Sequence, residues 1–203
     1  HGAHGVLLGH TLDDQAETVL LGLARGSGPQ SISGMREVHD LWWRPFLTLR
    51  RSSTEQMLRD IEVPWWSDPQ NIDRTFTRPR IRRDVMPLLE NALGPGVAEA
   101  LARTAELVRD DADYLDQQAM EAMGALRDCN SLDVPHLQGL PQVIASRVVR
   151  RVGAEVTGQA MSHTHTEQVM ALVTAWKGQG PVDIPGGTVE REDSQLVITP
   201  RHG

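Results

Sequence analysis

The order of apolar and polar positions near the start of the chain predicts a short strand followed by an amphipathic helix. Residues 6–8 form an apolar run typical of a buried strand, and apolar side chains then recur at three- and four-residue steps over residues 16–23. Thr11, with Asp14 three residues later, fits a capping box in which Asp replaces the usual Glu or Gln. Gly26 ends the helical pattern. An acidic helix start therefore follows a strand directly, which in an open α/β sheet is the edge where ligands bind.

The rest of the pattern predicts two further segments. A Gly-Pro-Gly sequence precedes residues 97–127, which keep one helical stripe and would span roughly 45 Å at about 1.5 Å per residue. Residues 128–203 predict two helices and three short strands joined by tight turns. Trp42 and Trp43 belong to an apolar run and are expected to pack in a core. We therefore expect an α/β domain over residues 1–93, a linker helix over 97–127 and a small α+β domain over 128–203.

Composition and charge limit the function only in part. The chain is 39% hydrophobic and 23% charged, which is ordinary for a globular protein, and it has no apolar run near the roughly 18 residues that span a membrane. Cys129 is the single cysteine, which fits a reducing cytoplasm and argues against sulfur-transfer enzymes that need paired cysteines. A net charge of −7 does not indicate nucleic acid, yet residues 36–83 hold ten arginines against seven acids.

Two groups of charged side chains are candidates for chemistry. Asp13, Asp14 and Glu17 occupy the first two turns of the predicted helix, although the helix dipole favours acids there without any chemistry. The five arginines within residues 74–83 would suit phosphate oxygens, because each guanidinium is a planar fork, or they belong to a solvated helix start. The His-x-His sequence at residues 163–165 lacks a third ligand, so we assign no metal-ligating residue.

The literal sequence of the acidic helix start favours a functional interpretation. From His10 to Thr18 it reads His-Thr-Leu-Asp-Asp-Gln-Ala-Glu-Thr, which resembles the His-x-x-Asp-Asp-Gln-x-Glu-Thr motif of the tRNA(Ile)-lysidine synthetases, a family of the PP-loop ATP pyrophosphatase group. Further similarities follow in order: Arg-Gly-Ser-Gly at 25–28, Arg-Pro at 44–45, Asp-Pro-Gln-Asn at 68–71, Phe-x-Arg-x-x-Ile-Arg at 76–82 and Pro-Gly-Gly at 185–187. Each match alone is weak, and six in sequence are specific.

The resemblance implies a fold for each part of the chain and the loss of an N-terminal segment. Residues 1–93 would be the C-terminal part of a doubly wound PP-loop domain of the adenine-nucleotide-hydrolase type, and residues 128–203 a tRNA-binding domain. The Ser-Gly-Gly-x-Asp-Ser loop that grips ATP in this family does not occur in the chain, so we expect an N-terminally truncated piece that is inactive by itself. Pro79 stands where the family pattern has Asn, so no role of that Asn can be carried over.

The resemblance also implies a reaction, that of a bacterial carbon–nitrogen ligase in the cytoplasm. ATP, with Mg²⁺, would adenylate C2 of the wobble cytidine of an isoleucine tRNA and release pyrophosphate, and the ε-amine of free L-lysine would then expel AMP to form lysidine. By the motif match, Asp14 and Glu17 would be catalytic, because a carboxylate must hold the lysine ammonium and help to take its proton. The residues expected to bind ATP or tRNA are His10, Asp13, Arg25, Arg44, Arg78 and Arg82.

Two alternatives stay open on the sequence alone. The chain could act as a non-catalytic tRNA-binding module, or it could belong to another PP-loop enzyme that adenylates tRNA, such as a thiolase, which the single cysteine disfavours. A homodimer is left open, and no membrane partner is expected.

Overall fold

Two units divide the chain within its longest helix. The computed structural model describes residues 2–26, 28–66, 68–71 and 73–201, with only the backbone described for residues 125–128. The first unit is His1–Asp111 and the second is Ala112–Gly203. Ser27, which belongs to the Arg-Gly-Ser-Gly motif, lies outside the described residues.

The first unit combines a small sheet with several helices. Its strands are Val6–Leu7 (β1), Val38–His39 (β2) and Trp42–Trp43 (β3). Its helices are Leu12–Arg25 (α1), Pro29–Ile32 (α2), Arg51–Asp60 (α3), Thr77–Arg80 (α4), Met86–Leu93 (α5) and the first half of Val97–Leu126 (α6). A 3₁₀ turn covers Pro69–Asn71, and a π-helical turn at Ile81–Val85 joins α4 to α5. Strand β3 lies between β1, to which it is parallel, and β2, to which it is antiparallel.

The expected burial of the first strand and of the tryptophan pair is wrong for this chain. Val6 and Leu7 are 44% and 70% exposed, and Trp42 and Trp43 are 48% and 41% exposed. The physical reason is the size of the sheet, because three strands of two residues each offer too little surface to enclose large side chains. The described core of the unit instead surrounds α1, and its apolar members are Ala16, Val19, Leu47, Ile81, Ala98 and Ala105.

The π-helical turn between α4 and α5 has a local cause. Pro87, the second residue of α5, has no N–H to donate, and its ring would clash with the carbonyl four residues earlier in a regular helix. The backbone widens just before it, where the N–H of Met86 donates to the Ile81 carbonyl five residues back. Pro79 is tolerated in the first turn of α4, where backbone N–H groups have no partner inside the helix.

The second unit is a small α+β fold with its own core. Its helices are the end of α6, Val134–Gly139 (α7), Gln142–Thr157 (α8) and His163–Thr174 (α9). Its strands are Arg127–Asp128 (β4), Ser131–Asp133 (β5), Val182–Ile184 (β6), Gly187–Glu192 (β7) and Gln195–Pro200 (β8). They form one antiparallel sheet in the order β4-β5-β8-β7-β6. Leu132, Val148, Val169 and Leu196 are completely buried between this sheet and the helices.

The Pro-Gly-Gly motif forms the turn between β6 and β7. Gly186 has a φ of +73°, which favours glycine. A Cβ on Gly187 would lie 2.5 Å from the backbone oxygen of Thr199 on β8, so only glycine allows the strands to approach this closely. Both glycines therefore have a structural reason to be present.

The architecture confirms the expected fold class. Helices and strands are mixed in the first unit, a long helix follows, and a small sheet with helices ends the chain. Within the described part of the chain, no helix combines the length and the apolar character needed to cross a bilayer.

The core of the second unit predicts a contrast between two valines of α8. Val148 is fully buried and Val143 is 43% exposed. We expect Val148→Ala to lower the free energy of unfolding by about 2 kcal/mol, because it removes buried apolar atoms and leaves a cavity. Val143→Ala, the matched control with the same change in helix propensity, should stay within about 0.5 kcal/mol of the parent. Urea denaturation followed by circular dichroism measures both, and equal losses would contradict the described core.

Candidate active site

Parallel strand pairing places the acidic helix start at one edge of the first unit. The N–H of Leu8, just after β1, donates to the Trp43 carbonyl on β3 at 2.7 Å. Both strands therefore end at the same edge, where β1 leads into His10 and α1. The N–H of Leu12 at the start of α1 donates to the Leu49 carbonyl at 2.9 Å, which fixes the helix start against the segment after β3.

Asp14 combines a capping role with two ion pairs. Its Oδ2 accepts hydrogen bonds from both the N–H and the hydroxyl of Thr11, each at 2.8 Å, as the capping pattern predicts. Its Oδ1 accepts from Arg51 at 2.8 Å and from Arg82 at 2.9 Å. Burial alone would raise the pKa of Asp14, but the Thr11 hydrogen bonds and the two guanidinium groups outweigh it and hold that pKa below its usual value. Asp14 is therefore ionised at neutral pH.

Glu17 lies directly beneath Arg82. Its two carboxylate oxygens accept from Nε and Nη2 of Arg82 at 2.6 and 3.0 Å, a two-pronged contact, and the residue is only 1% exposed. Burial raises the pKa of Glu17, and Arg82 opposes that rise. Asp14 and Glu17 thus share one arginine while their surroundings move their pKa values in opposite directions.

Asp13 faces another way and holds α3. Its Oδ2 accepts the backbone N–H of Arg51, the first residue of α3, at 2.7 Å, which supplies that helix with a cap from a distant segment. Its Oδ1 accepts from Arg50 at 2.8 Å, and Arg50 also contacts Glu99 on α6 at 2.9 Å. These contacts give Asp13 a structural role in joining α1, α3 and α6.

His10 is paired with an arginine from the neighbouring strand. Nε of Arg44 lies 3.2 Å from Nδ1 of His10. Burial lowers the pKa of His10, and Arg44 and Arg78 lower it further against the opposing effect of Asp14. His10 is therefore a neutral imidazole at physiological pH.

A cavity of about 620 Å³ opens beside these groups. The predicted site residues on its wall are His10, Asp14, Arg25, Arg78 and Arg82. Asp13, Glu17 and Arg44 are not among the residues that line it. The rest of the described wall consists of Leu21, Asp68, Gln70, Asn71, Phe76, Thr77 and Pro79. The cavity thus offers cationic, acidic and apolar surface together, which suits a ligand with both phosphate and ring parts.

Comparisons with known proteins match the two units in order. A family model described as a PP-loop domain matches residues 1–89, and one described as the TilS substrate binding domain matches residues 132–197. The tRNA(Ile)-lysidine synthase of Streptomyces coelicolor is 48% identical over 98% of this chain and 58% of its own length. Those of Leifsonia xyli and Mycobacterium tuberculosis are also 48% identical, over 96% and 95% of this chain and 60% and 63% of their own lengths.

The chain belongs to the tRNA(Ile)-lysidine synthase family.

The matches confirm the resemblance that the six motifs indicated. The chain spans about three fifths of the length of these tRNA(Ile)-lysidine synthases. The PP-loop match ends within α5, and the substrate binding match begins on β5.

The structure of this family member adds site residues that sequence reasoning did not select. Arg51 contacts Asp14 directly, and its only sequence signal is its place in the arginine-rich stretch of residues 36–83. Asn71 and Phe76 line the cavity, and both belong to motifs that were matched to the family without a role being assigned. Two of the matched motifs therefore contribute side chains to the wall of this cavity.

The contact between Arg82 and Glu17 predicts how the free energy of unfolding changes when either charge is removed. Arg82→Met should leave the buried Glu17 carboxylate without its cation and lower the free energy of unfolding at pH 7 by about 3–5 kcal/mol. Adding Glu17→Met should restore much of the loss, because the unpaired charge is then gone. Arg78→Met is the matched control, since Arg78 is exposed and, among the residues that the structure describes, donates only to the Thr18 hydroxyl at 3.2 Å.

The sign of the pH effect follows from the raised pKa of Glu17. In the Arg82→Met variant that pKa should rise further, so the destabilisation is greatest where Glu17 is ionised and shrinks as the pH falls and the carboxyl binds a proton. Denaturant unfolding at several pH values measures this difference. A loss that is independent of pH and is not restored by Glu17→Met would contradict the assigned pair.

Proposed function

We propose that the complete protein carrying this chain joins lysine to C2 of the wobble cytidine of an isoleucine tRNA through an adenylated cytidine. The observation that carries the proposal is the placement of Asp14, Arg82 and His10 on one cavity, directly above the buried Glu17. The similarity to tRNA(Ile)-lysidine synthases supports the choice of substrates.

The cavity wall fits part of a nucleotide. Arg25 and Arg78 are exposed cations on it, and among the described residues Arg25 makes no hydrogen bond or ion pair. Both can contact phosphate oxygens, while Phe76 and Leu21 offer apolar surface to a base. ATP bound there would supply the adenylyl group that activates the cytidine, with pyrophosphate as the leaving group. We propose that Arg25 and Arg78 orient ATP or the tRNA backbone.

The described side chains fit a nucleotide better than they fit an Mg²⁺ ion. The described residues contain no group of three or more metal-ligating side chains that could hold an ion. The carboxylates of Asp14 and Glu17 are already committed to arginines. We therefore assign no Mg²⁺ ligand here, and we propose that the ion accompanies the triphosphate.

We propose different roles toward lysine for the carboxylates of Asp14 and Glu17. Asp14 is ionised and lies on the cavity wall, so it can hold the ε-ammonium. Glu17 has a raised pKa and lies deeper, which suits a group that takes the proton before the amine attacks. Oppositely shifted pKa values in one pair of acids are a common mark of such divided roles.

Arg82 must move for lysine to bind in this way. Its guanidinium now occupies both carboxylates, so it stands where the substrate ammonium would be held. Phosphate groups in the cavity would attract Arg82, which is on the same wall, and its withdrawal would free the carboxylates for lysine. We propose that nucleotide binding in this way precedes lysine binding.

Substitution of the carboxylates tests the proposed reaction. In the complete gene product, Asp14→Asn and Glu17→Gln should each lower lysidine formation by about a hundredfold or more, the scale of a lost general base. Asp14→Asn should also raise the lysine concentration needed for half-maximal rate. The assay is single-turnover incorporation of labelled lysine into transcribed isoleucine tRNA. Asp60→Asn, an exposed carboxylate on α3, is the control for the same chemical change. Parent rates in both site variants would reject the assignment.

The two exposed cavity arginines give a separate test. Arg25→Gln with Arg78→Gln should weaken tRNA binding and reduce the slope of log affinity against log salt by about 0.7–0.9 per lost phosphate contact. Arg59→Gln is the control, because Arg59 is exposed and pairs with Glu55 on its own helix. If the salt slope of tRNA binding and the ATP affinity are both unchanged, the proposed contacts are rejected, and Arg25 and Arg78 are ordinary solvated side chains.

A further inference from the structure

Arg44 and His10 meet because two parallel strands end together. Leu7 of β1 pairs with Trp43 of β3, and the N–H of Leu8 continues the ladder to the Trp43 carbonyl. Arg44 is the residue directly after β3, and His10 follows β1 after a short turn. The contact between them joins residues 34 positions apart and is set by the register of the sheet.

Arg44 is held by three contacts, one made by its backbone and two by its side chain. Its backbone N–H donates to the Glu37 carbonyl at 2.7 Å, its Nη1 donates to the Arg36 carbonyl at 2.9 Å, and its Nε approaches Nδ1 of His10 at 3.2 Å. A guanidinium has five N–H donors and no acceptor. Nδ1 of His10 must therefore be the acceptor, which means that it carries no proton and that the ring proton of the neutral imidazole is on Nε2.

The other ring nitrogen is the one left for a ligand. His10 lines the cavity with Asp14, Arg78 and Arg82, and no described contact engages its Nε2. Protonation of the ring would place an Nδ1–H against the Arg44 N–H. The charged groups that face His10 are Asp14 on α1, Arg44 after β3 and Arg78 on α4, and only Asp14 favours the protonated ring.

We propose that Arg44 is a positioning residue that fixes His10 as the neutral imidazole with its proton on Nε2, so that His10 donates a hydrogen bond to an oxygen of the ligand in the cavity. The oxygen would belong to a nucleotide, and this part of the inference rests on the proposed function. Arg44 then acts through His10, in contrast to the direct contact with ATP or tRNA that the sequence suggested.

Ring-nitrogen NMR on the chain itself tests the state of His10. The chain is labelled with ¹⁵N-histidine, and His10 is identified among the eight histidines by the signal lost in His10→Gln. At alkaline pH the parent should show one tautomer, with an acceptor-type Nδ1 and a protonated Nε2. In Arg44→Met the ring should show a mixture of tautomers, and its titration midpoint should rise by about half to one pH unit, the scale of one lost hydrogen bond.

Arg78→Met is the matched control, because it removes a cation that also faces His10 but does not donate to its ring. It should raise the midpoint less and leave the tautomer unchanged. The ring-nitrogen signals of exposed His136 in the second unit, which pairs with Asp133, should have the same positions in all variants and report that this unit is intact. A backbone amide spectrum shows whether the first unit keeps its fold in Arg44→Met.

The outcomes separate this inference from the proposed reaction. A mixture of tautomers in the parent, or an identical change in Arg44→Met and Arg78→Met, overturns the role of Arg44. A single Nε2–H tautomer that depends on Arg44 alone supports it, whether or not the complete protein forms lysidine. If Arg44→Met loses its fold, Arg44→Gln, which keeps a smaller N–H donor, should retain the parent tautomer, and a changed tautomer there also overturns the role.

Discussion

The contact between Arg82 and Glu17 is the interaction on which the candidate site depends. A carboxylate that is 1% exposed can stay ionised only with a cation and hydrogen bonds beside it, and the bidentate guanidinium supplies both. The same arginine reaches Asp14, so one side chain aligns two acids on adjacent turns of α1. Arg82 itself lies in the π-helical turn that precedes Pro87.

The residues on the cavity wall are joined to charged side chains that do not line the cavity. Asp14 contacts Arg51, Arg82 contacts Glu17, and His10 contacts Arg44. Asp14, Arg82 and His10 thus each have at least one charged or donating neighbour that restricts the orientation of the side chain. These contacts hold the charged groups in place in the structure described here, and the proposed binding of lysine requires that the contacts of Arg82 be broken.

The sequence predicted the parts of this structure that depend on local pattern or literal motif. The cap of α1 at Thr11, the long helix α6 and the last three strands of the second unit follow from periodicity, capping and turn residues, whereas β4 and β5 were not predicted. The contacts of Arg44 and Asp13 could not be predicted, because they join residues 34 or more positions apart through the sheet and the packing of helices. The exposure of Trp42 was missed for a related reason, since apolar character shows a tendency to be buried but not whether enough surface surrounds the side chain.

The exposed apolar side chains of the small sheet have a consequence for the behaviour of the chain in solution. Leu7, Trp42 and Trp43 present apolar surface on strands only two residues long, next to backbone groups at the edge of the sheet. Exposed apolar surface of this kind promotes association between copies as concentration rises. The net charge of −7 acts against it through mutual repulsion, which salt screens. The colloidal stability of the isolated chain should therefore depend on ionic strength more than its folding does.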